Sequence, residues 1–219
     1  MKEAYIFDLD DTLIQSNSHI YIYDHKNLFV EKINSREYVH KRNNVKKYIK
    51  DGYHVNTTEF GGEGESQEAD HTSLQYLMNG TTLDKQIHIL KEKSKYNHID
   101  IYLVTGRGNK PETLQHLIQT RFQVHIPISH IYPVSNKNVM NSLWYRLHNN
   151  ENYGIIHLLE NGKNAANFKK ASLYDILRKK YDKVTFYDDD HDNIDCFNNL
   201  VEDLNILGFH IQHQSYLIK

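Results

Sequence analysis

The stretch Ala4-Tyr5-Ile6-Phe7-Asp8-Leu9-Asp10-Asp11-Thr12-Leu13 limits what this chain can fold into more than any other. Ala4 to Phe7 suit a buried strand, because a strand covered on both faces of a parallel sheet reads as an unbroken apolar run. The run ends abruptly in Asp8, Asp10 and Asp11. In open α/β sheets the reactive groups stand just beyond the carboxyl ends of such strands. Asp8 and Asp10 are two residues apart, so an extended chain would point both carboxylates to the same side. Like charges that close repel. A bound cation, or a division of labour between nucleophile and acid/base, accounts for the pair.

The rest of the chain can support such a sheet. Its 219 residues fit one domain of moderate size, or one domain carrying a small insertion. A hydrophobic content of 39% supplies a core, and a mean hydropathy of −0.70 gives a well-hydrated surface. The net charge of −2, taken whole, points to no particular partner. Cys196 is the only cysteine, which excludes an intramolecular disulfide or a Cys-based zinc cluster and fits a reducing compartment. The first strand starts at residue 4 and leaves no room for a signal peptide, and no apolar run is long enough to span a bilayer. A cytoplasmic protein with no membrane association is the expectation.

Along the chain, Ser18–Ile33 alternates, turns through Asp24-His25-Lys26-Asn27 and resumes, as a β-hairpin does. Asn34 with Glu37 forms a capping box for a helix over 35–51, stopped by Gly52. Residues 53–70, with Gly61, Gly62 and Gly64, read as a mobile loop without a nucleotide-binding glycine fingerprint. A helix over 82–96 feeds a buried strand at 99–104, and Pro111 opens a helix over 111–122. A third strand lies within 124–133. A helix at 137–148 precedes a loop containing Gly154 and Gly162. A helix at 166–181, a strand at 184–187, a helix at 193–206 and a strand near 209–217 complete the chain. Strands alternating with helices predict an α/β fold with a parallel, doubly wound sheet.

Two more strand ends carry chemistry. The strand 99–104 runs into Thr105-Gly106-Arg107, and the strand 184–187 runs into Asp188-Asp189, with Asn193 following. Lys169 and Lys170 lie near the start of the helix before that last acidic strand end. Asp190 and Asp192 read as exposed loop charges, and His210 and His213 as residues packed on a strand.

Taken in order, these segments resemble the four motifs of the haloacid dehalogenase-like (HAD) phosphohydrolases, in a version similar to viral and RNA-repair-like branches. The resemblance implies a Rossmann-like core of residues 1–13 and 81–219, with 14–80 inserted as a flap and small cap. It also implies magnesium-dependent phosphomonoester hydrolysis through an aspartyl-phosphate on Asp8. Asp10 would be the acid/base, its carbonyl joining the metal, and Thr12 would steady the loop. The Thr105 hydroxyl and the Gly106 amide would donate to the transferring phosphoryl group. Arg107 could fork onto a phosphate or pair with an acid at the surface. Lys169, preferred to Lys170, would offset the negative charge. Mg2+ would be held by Asp8, Asp10, Asp188, Asp189 and Asn193, some directly and some at one remove.

The insertion has an uneven charge. Residues 26–50 hold eight Lys or Arg against Glu31 and Glu37, with Tyr38 and Tyr48 interleaved, whereas 51–70 holds six acids and no Lys or Arg. Lys41, Arg42, Lys46 and Lys47 are therefore candidates for an RNA or DNA backbone, which would make the substrate a polynucleotide end phosphate. The alternative is that the two halves neutralise each other, with a nucleotide or sugar phosphate as substrate. A core kept only for binding, without turnover, is the reading from another class.

Overall fold

The computed structural model describes residues 1–64, 66–149 and 165–219, the side chains of Val39, Arg42, His148, Asn149, Ala165 and Ala166 excepted. Gly154 and Gly162 lie outside the described residues. In chain order the strands and helices are β1 (Glu3–Phe7), β2 (Ile14–Gln15), β3 (His19–Tyr23), β4 (Phe29–Asn34), α1 (Ser35–Lys50), β5 (His54–Asn56), α2 (Gln67–Asn79), β6 (Thr81–Thr82), α3 (Asp84–Lys93), β7 (Ile99–Thr105), α4 (Pro111–Phe122), β8 (Ile131–Pro133), α5 (Lys137–Asn149), α6 (Ala165–Leu177), β9 (Lys183–Asp188), α7 (His191–Ile206) and β10 (Gln212–Leu217).

Five strands form one sheet in the order β10-β9-β1-β7-β8, with every neighbouring pair parallel. The fold is α/β. The chain builds outward from β1 through β7 to β8, then returns to the other side of β1 for β9 and β10. The switch point therefore falls between β1 and β9, where ligand crevices open in doubly wound sheets. Alternation along β1 explains the two cores. Ala4 and Ile6 face one cluster with Met140, Leu173, Ile176, Leu200 and Val201 of α5, α6 and α7. Tyr5 and Phe7 face the other, with Ile87, Leu90, Leu114 and Leu117 of α3 and α4. The rings of Phe7, Tyr187 and Tyr216 stack across β1, β9 and β10 at 4.8 and 5.0 Å.

The capping box at Asn34 and Glu37 is present, and the hairpin forms as β3 and β4. The described residues of 53–70 hold regular structure where the sequence indicates a loop. His54–Asn56 pairs with β3, Thr58–Phe60 makes a 3-10 turn, and the Ser66 hydroxyl caps α2 by accepting from the Ala69 N–H. A three-residue strand is legible only through its partner, because β5 has no alternation of its own to show. Leu77 of α2 belongs to the cluster containing α4, and Arg121 donates to the carbonyls of Leu77 and Gly80. The segment just before β6 thus packs with the large sheet. The smaller sheet β4-β3-β5 has its own centre of Ile22, Ile33 and Val45, with Tyr38 and Tyr48 packed against it. Among the described residues no helix is long and apolar enough to cross a membrane.

Candidate active site

Asp8 is the first residue past β1, and its N–H donates to the Tyr187 carbonyl at 2.9 Å, so β1 and β9 end side by side. The chain then folds tightly: the N–H groups of Leu13 and Ile14 both donate to the Leu9 carbonyl, and Asp11 takes a left-handed φ of 53°. The end of β9 brings Asp188 and Asp189 to Asp8, and ligand atoms of the three carboxyl groups lie within 4.8 Å of one another. Lys169, from α6, reaches this cluster. Its Nζ is 3.1 Å from Asp8 Oδ1 and 2.7 Å from Asp188 Oδ2, the latter contact poorly aligned as a hydrogen bond. Of the two lysines weighed from sequence, Lys169 makes these contacts.

Three carboxylates around one ammonium leave an excess of negative charge. Burial pushes the Asp8 carboxyl well above its usual range; Lys169 opposes this, and Asp188, Asp189 and Asp10 add to it. Asp189 is pushed up to about 7, first by burial and then by Asp188, against the pull of Lys169. Burial works against the charge on Lys169, but Asp188 and Asp8 outweigh it and raise its pKa. The missing positive charge suits a cation, and every donor is a hard carboxylate oxygen, the set preferred by magnesium, calcium or manganese. Asn193 does not join the cluster directly. Its Nδ2 donates to Asp188 Oδ1 at 3.0 Å, beside the Asp190 N–H at 2.9 Å, so it orients Asp188. Asp190 is buried, not an exposed loop charge, because it caps α7 by accepting from the Asp192 N–H.

Arg107 lies elsewhere than either sequence reading placed it. It is fully buried and meets neither solvent nor a surface acid. Nε and Nη2 fork onto Asp10 Oδ2 and Oδ1 at 2.8 and 2.7 Å. Nη1 donates to the Glu59 carbonyl and Ser73 Oγ, and Nη2 also reaches Ser16 and Ser18 Oγ. With its donors engaged inside the protein, the guanidinium has none left for a phosphate. The expected phosphate fork is corrected to a fork on Asp10. Asp10 Oδ1 also accepts from Ser16 Oγ at 2.9 Å, so only Oδ2 keeps a free lone pair.

Glu59, Ser16, Ser18 and Ser73 were not legible as site residues, since nothing in their local sequence pairs them with residue 107. Glu59 is buried, and its carboxylate accepts from the His19 N–H and from the hydroxyls of Tyr21 and Tyr76. Asp11 also does more than turn the chain. It accepts from Ser35 Oγ and pairs with Arg36 at 2.9 Å, tying the start of α1 to the acidic loop.

Thr105 is buried at the end of β7, and among the described residues its hydroxyl accepts only a long 3.4 Å contact from the Arg107 N–H. Gly106 faces open space, since a Cβ there would meet nothing within 4 Å. Thr12 is fully buried, and its hydroxyl has no partner among the described residues. Lys41 pairs with Glu31 at 2.6 Å. Lys46 and Lys47 are exposed on α1 and form no ion pair among the described residues, and the Arg42 side chain lies outside them. Among the described residues the acids of 51–70 form no ion pair with Lys41, Lys46 or Lys47. Glu59 serves tyrosines, Asp70 accepts from Asn109, the Lys110 N–H and Thr113, and Glu63 pairs with Lys137. No protein-family model matches the chain, and no curated protein or solved structure matches it either.

Proposed function

We propose that this chain is a magnesium-dependent phosphomonoester hydrolase of the haloacid dehalogenase-like kind, working through an aspartyl-phosphate on Asp8. One observation carries the reading: Asp8, Asp188 and Asp189 converge within 4.8 Å at the strand ends beside the switch point. Asp10 stands two residues from Asp8 with its side chain 15% exposed. Asp8, Asp189 and the Asp10 carbonyl would hold Mg2+, with Asp188 beside them. The bound ion would neutralise charge on the phosphoryl oxygens.

In the first step a carboxylate oxygen of Asp8 bonds to phosphorus while the bond to the ester oxygen breaks. The departing oxygen takes a proton from Asp10 Oδ2. In the second step water bonds to phosphorus and gives its proton to Asp10, and phosphate leaves as the Asp8 carboxylate re-forms. The Thr105 hydroxyl and Gly106 N–H would donate to the phosphoryl oxygens, whose charge grows in each transition state. Arg107 fixes the orientation of Asp10, and Lys169 holds Asp8 in place and favours its ionised form against burial and the neighbouring acids.

The test uses p-nitrophenyl phosphate with magnesium, with EDTA, and with Asp8→Asn. Turnover is expected only with both magnesium and Asp8. Asp10→Asn should lose about 10²–10⁴-fold in kcat, the usual worth of general acid/base work. Turnover that survives EDTA or Asp8→Asn refutes the mechanism. A protein inactive on every phosphomonoester would be a binding module.

A further inference from the structure

The small sheet β4-β3-β5 has two faces, and α1 covers one. On the other the Tyr21 hydroxyl meets Glu59 and, through it, Tyr76 of α2, while the rings toward the Tyr23 end are more exposed. Ile22 and Ile33 point to α1, where Tyr38 and Tyr48 also pack. The two tyrosines that the sequence interleaves with lysines are therefore turned inward. Alternation sends His19, Tyr21 and Tyr23 to the opposite face. There Tyr23 stands between two rings, Phe29 of β4 with centroids 6.2 Å apart and His54 of β5 at 6.1 Å. One step back along β3, Tyr21 lies 6.2 Å from His19, and the Lys32 ammonium sits 5.6 Å over its ring. Phe29 is 61% exposed, and Lys32 and His54 are exposed as well.

Phe29 reaches this face through a bulge. Ile22 pairs with Glu31 but Tyr23 pairs with Phe29, which leaves Val30 as an extra residue in β4. Strict alternation would turn Phe29 toward α1 with Glu31 and Ile33. The bulge instead re-aims it outward onto Tyr23, a use to which bulges near functional sites are put. Of the acids nearby, Glu59 is buried and accepts from the Tyr21 and Tyr76 hydroxyls, and two more are engaged by other groups. Glu31 is held by Lys41 of α1, and Asp24 accepts from the N–H groups of Lys26 and Leu28 at the hairpin tip. Lys32 thus lends the face a positive charge that suits a phosphodiester.

The face is also wired to the acids. The Tyr21 hydroxyl and His19 N–H end on Glu59, whose carbonyl accepts from Arg107, which forks onto Asp10. From His19 to Tyr23 the strand leads away from that junction by about 13 Å.

We propose that this aromatic face binds single-stranded nucleic acid by stacking its bases on Tyr23, Phe29 and His54. The proposal rests on the phosphatase reading for one point, that the strand's terminal phosphate is delivered to Asp8. Every base has a π-face, so stacking on rings tolerates any sequence. Sheets with outward aromatics hold about two or three bases. The lysines of α1 lie on the far side of this sheet and are not the main contact.

Short fluorescein-labelled oligo(dT) and oligo(U) without a terminal phosphate, titrated against the whole protein by anisotropy, test this directly. Tyr23→Ala combined with Phe29→Ala should raise Kd roughly tenfold or more. Phe29→Ala alone, at an already exposed position, should show part of that loss in a variant with unchanged melting. Three results overturn the proposal: equal affinity for duplex, a loss confined to Lys46→Ala with Lys47→Ala, or self-association that the aromatic variants abolish. Hydrolysis of p-nitrophenyl phosphate is measured separately on the wild type. Turnover without oligonucleotide binding refutes the stacking face alone, whereas binding without turnover refutes the phosphatase reading and leaves the face standing.

Discussion

Removing Arg107 should be among the most damaging single changes in this protein. The side chain is fully buried and makes two hydrogen bonds to Asp10, one to the Glu59 carbonyl and three to serine hydroxyls. Arg107→Ala would leave the Asp10 carboxylate with a single serine donor, and would open a cavity where the fully buried guanidinium sat. Breaking a buried ion pair by deleting one partner costs about 3–5 kcal/mol. A domain with a total stability of about 5–15 kcal/mol would lose a large share of it. Arg107→Lys keeps the charge but cannot reproduce the planar fork, so it should fall between wild type and Arg107→Ala. Urea denaturation followed by circular dichroism reads the loss as a lowered midpoint. In a double-mutant cycle, Asp10→Asn should couple to Arg107→Lys by roughly 0.5–3 kcal/mol, as residues of one network do. A loss under about 1 kcal/mol for Arg107→Ala, or additive effects in the cycle, would refute the view that the Arg107 fork holds Asp10 together with Ser16, Ser18, Glu59 and Ser73.

Magnesium should raise the melting temperature, with about 2.7 kcal/mol of added stability at a hundredfold excess over Kd, and Asp189→Asn should remove most of that rise in a thermal titration. His130 stacks on Tyr102 at 4.1 Å, and its pKa is lowered first by burial and then by Lys179. The unfolded chain therefore binds the extra proton more readily, and the His130 contribution to stability is lost as pH falls below its ordinary value of 6.5. Melting curves recorded downward from neutral pH should show a shallower decline in His130→Phe than in wild type, and equal slopes would contradict this. Gly108 passes so close to the 61–64 loop that an added Cβ would lie 2.0 Å from the Gly62 carbonyl oxygen. Gly108→Ala should therefore cost about 1–3 kcal/mol or more by urea denaturation, while Gly106→Ala, in open space, should be nearly neutral for stability.

Local sequence determined the parts of this protein whose physics is local. The apolar run before Asp8 can only be a buried strand, the Asn34 and Glu37 spacing caps a helix, and Pro111 begins one, and each stands where the chain indicated. The acids Asp8, Asp188 and Asp189 were legible for a related reason, because a carboxylate directly after a buried strand has few structural uses. Only the tertiary structure decided the rest. Whether Arg107 meets a phosphate or a carboxylate depends on Ser16, Ser18, Glu59 and Ser73, which reach it from far along the chain. The choice of Lys169 over Lys170 depends on which side of α6 faces β9. The orientation of Tyr38 and Tyr48 toward the interior, and of Tyr23 and Phe29 toward solvent, was set by which face of a three-stranded sheet α1 came to cover. A charge count over residues 26–50 contains no such information, since composition records which groups a segment carries and burial decides which of them a partner can reach.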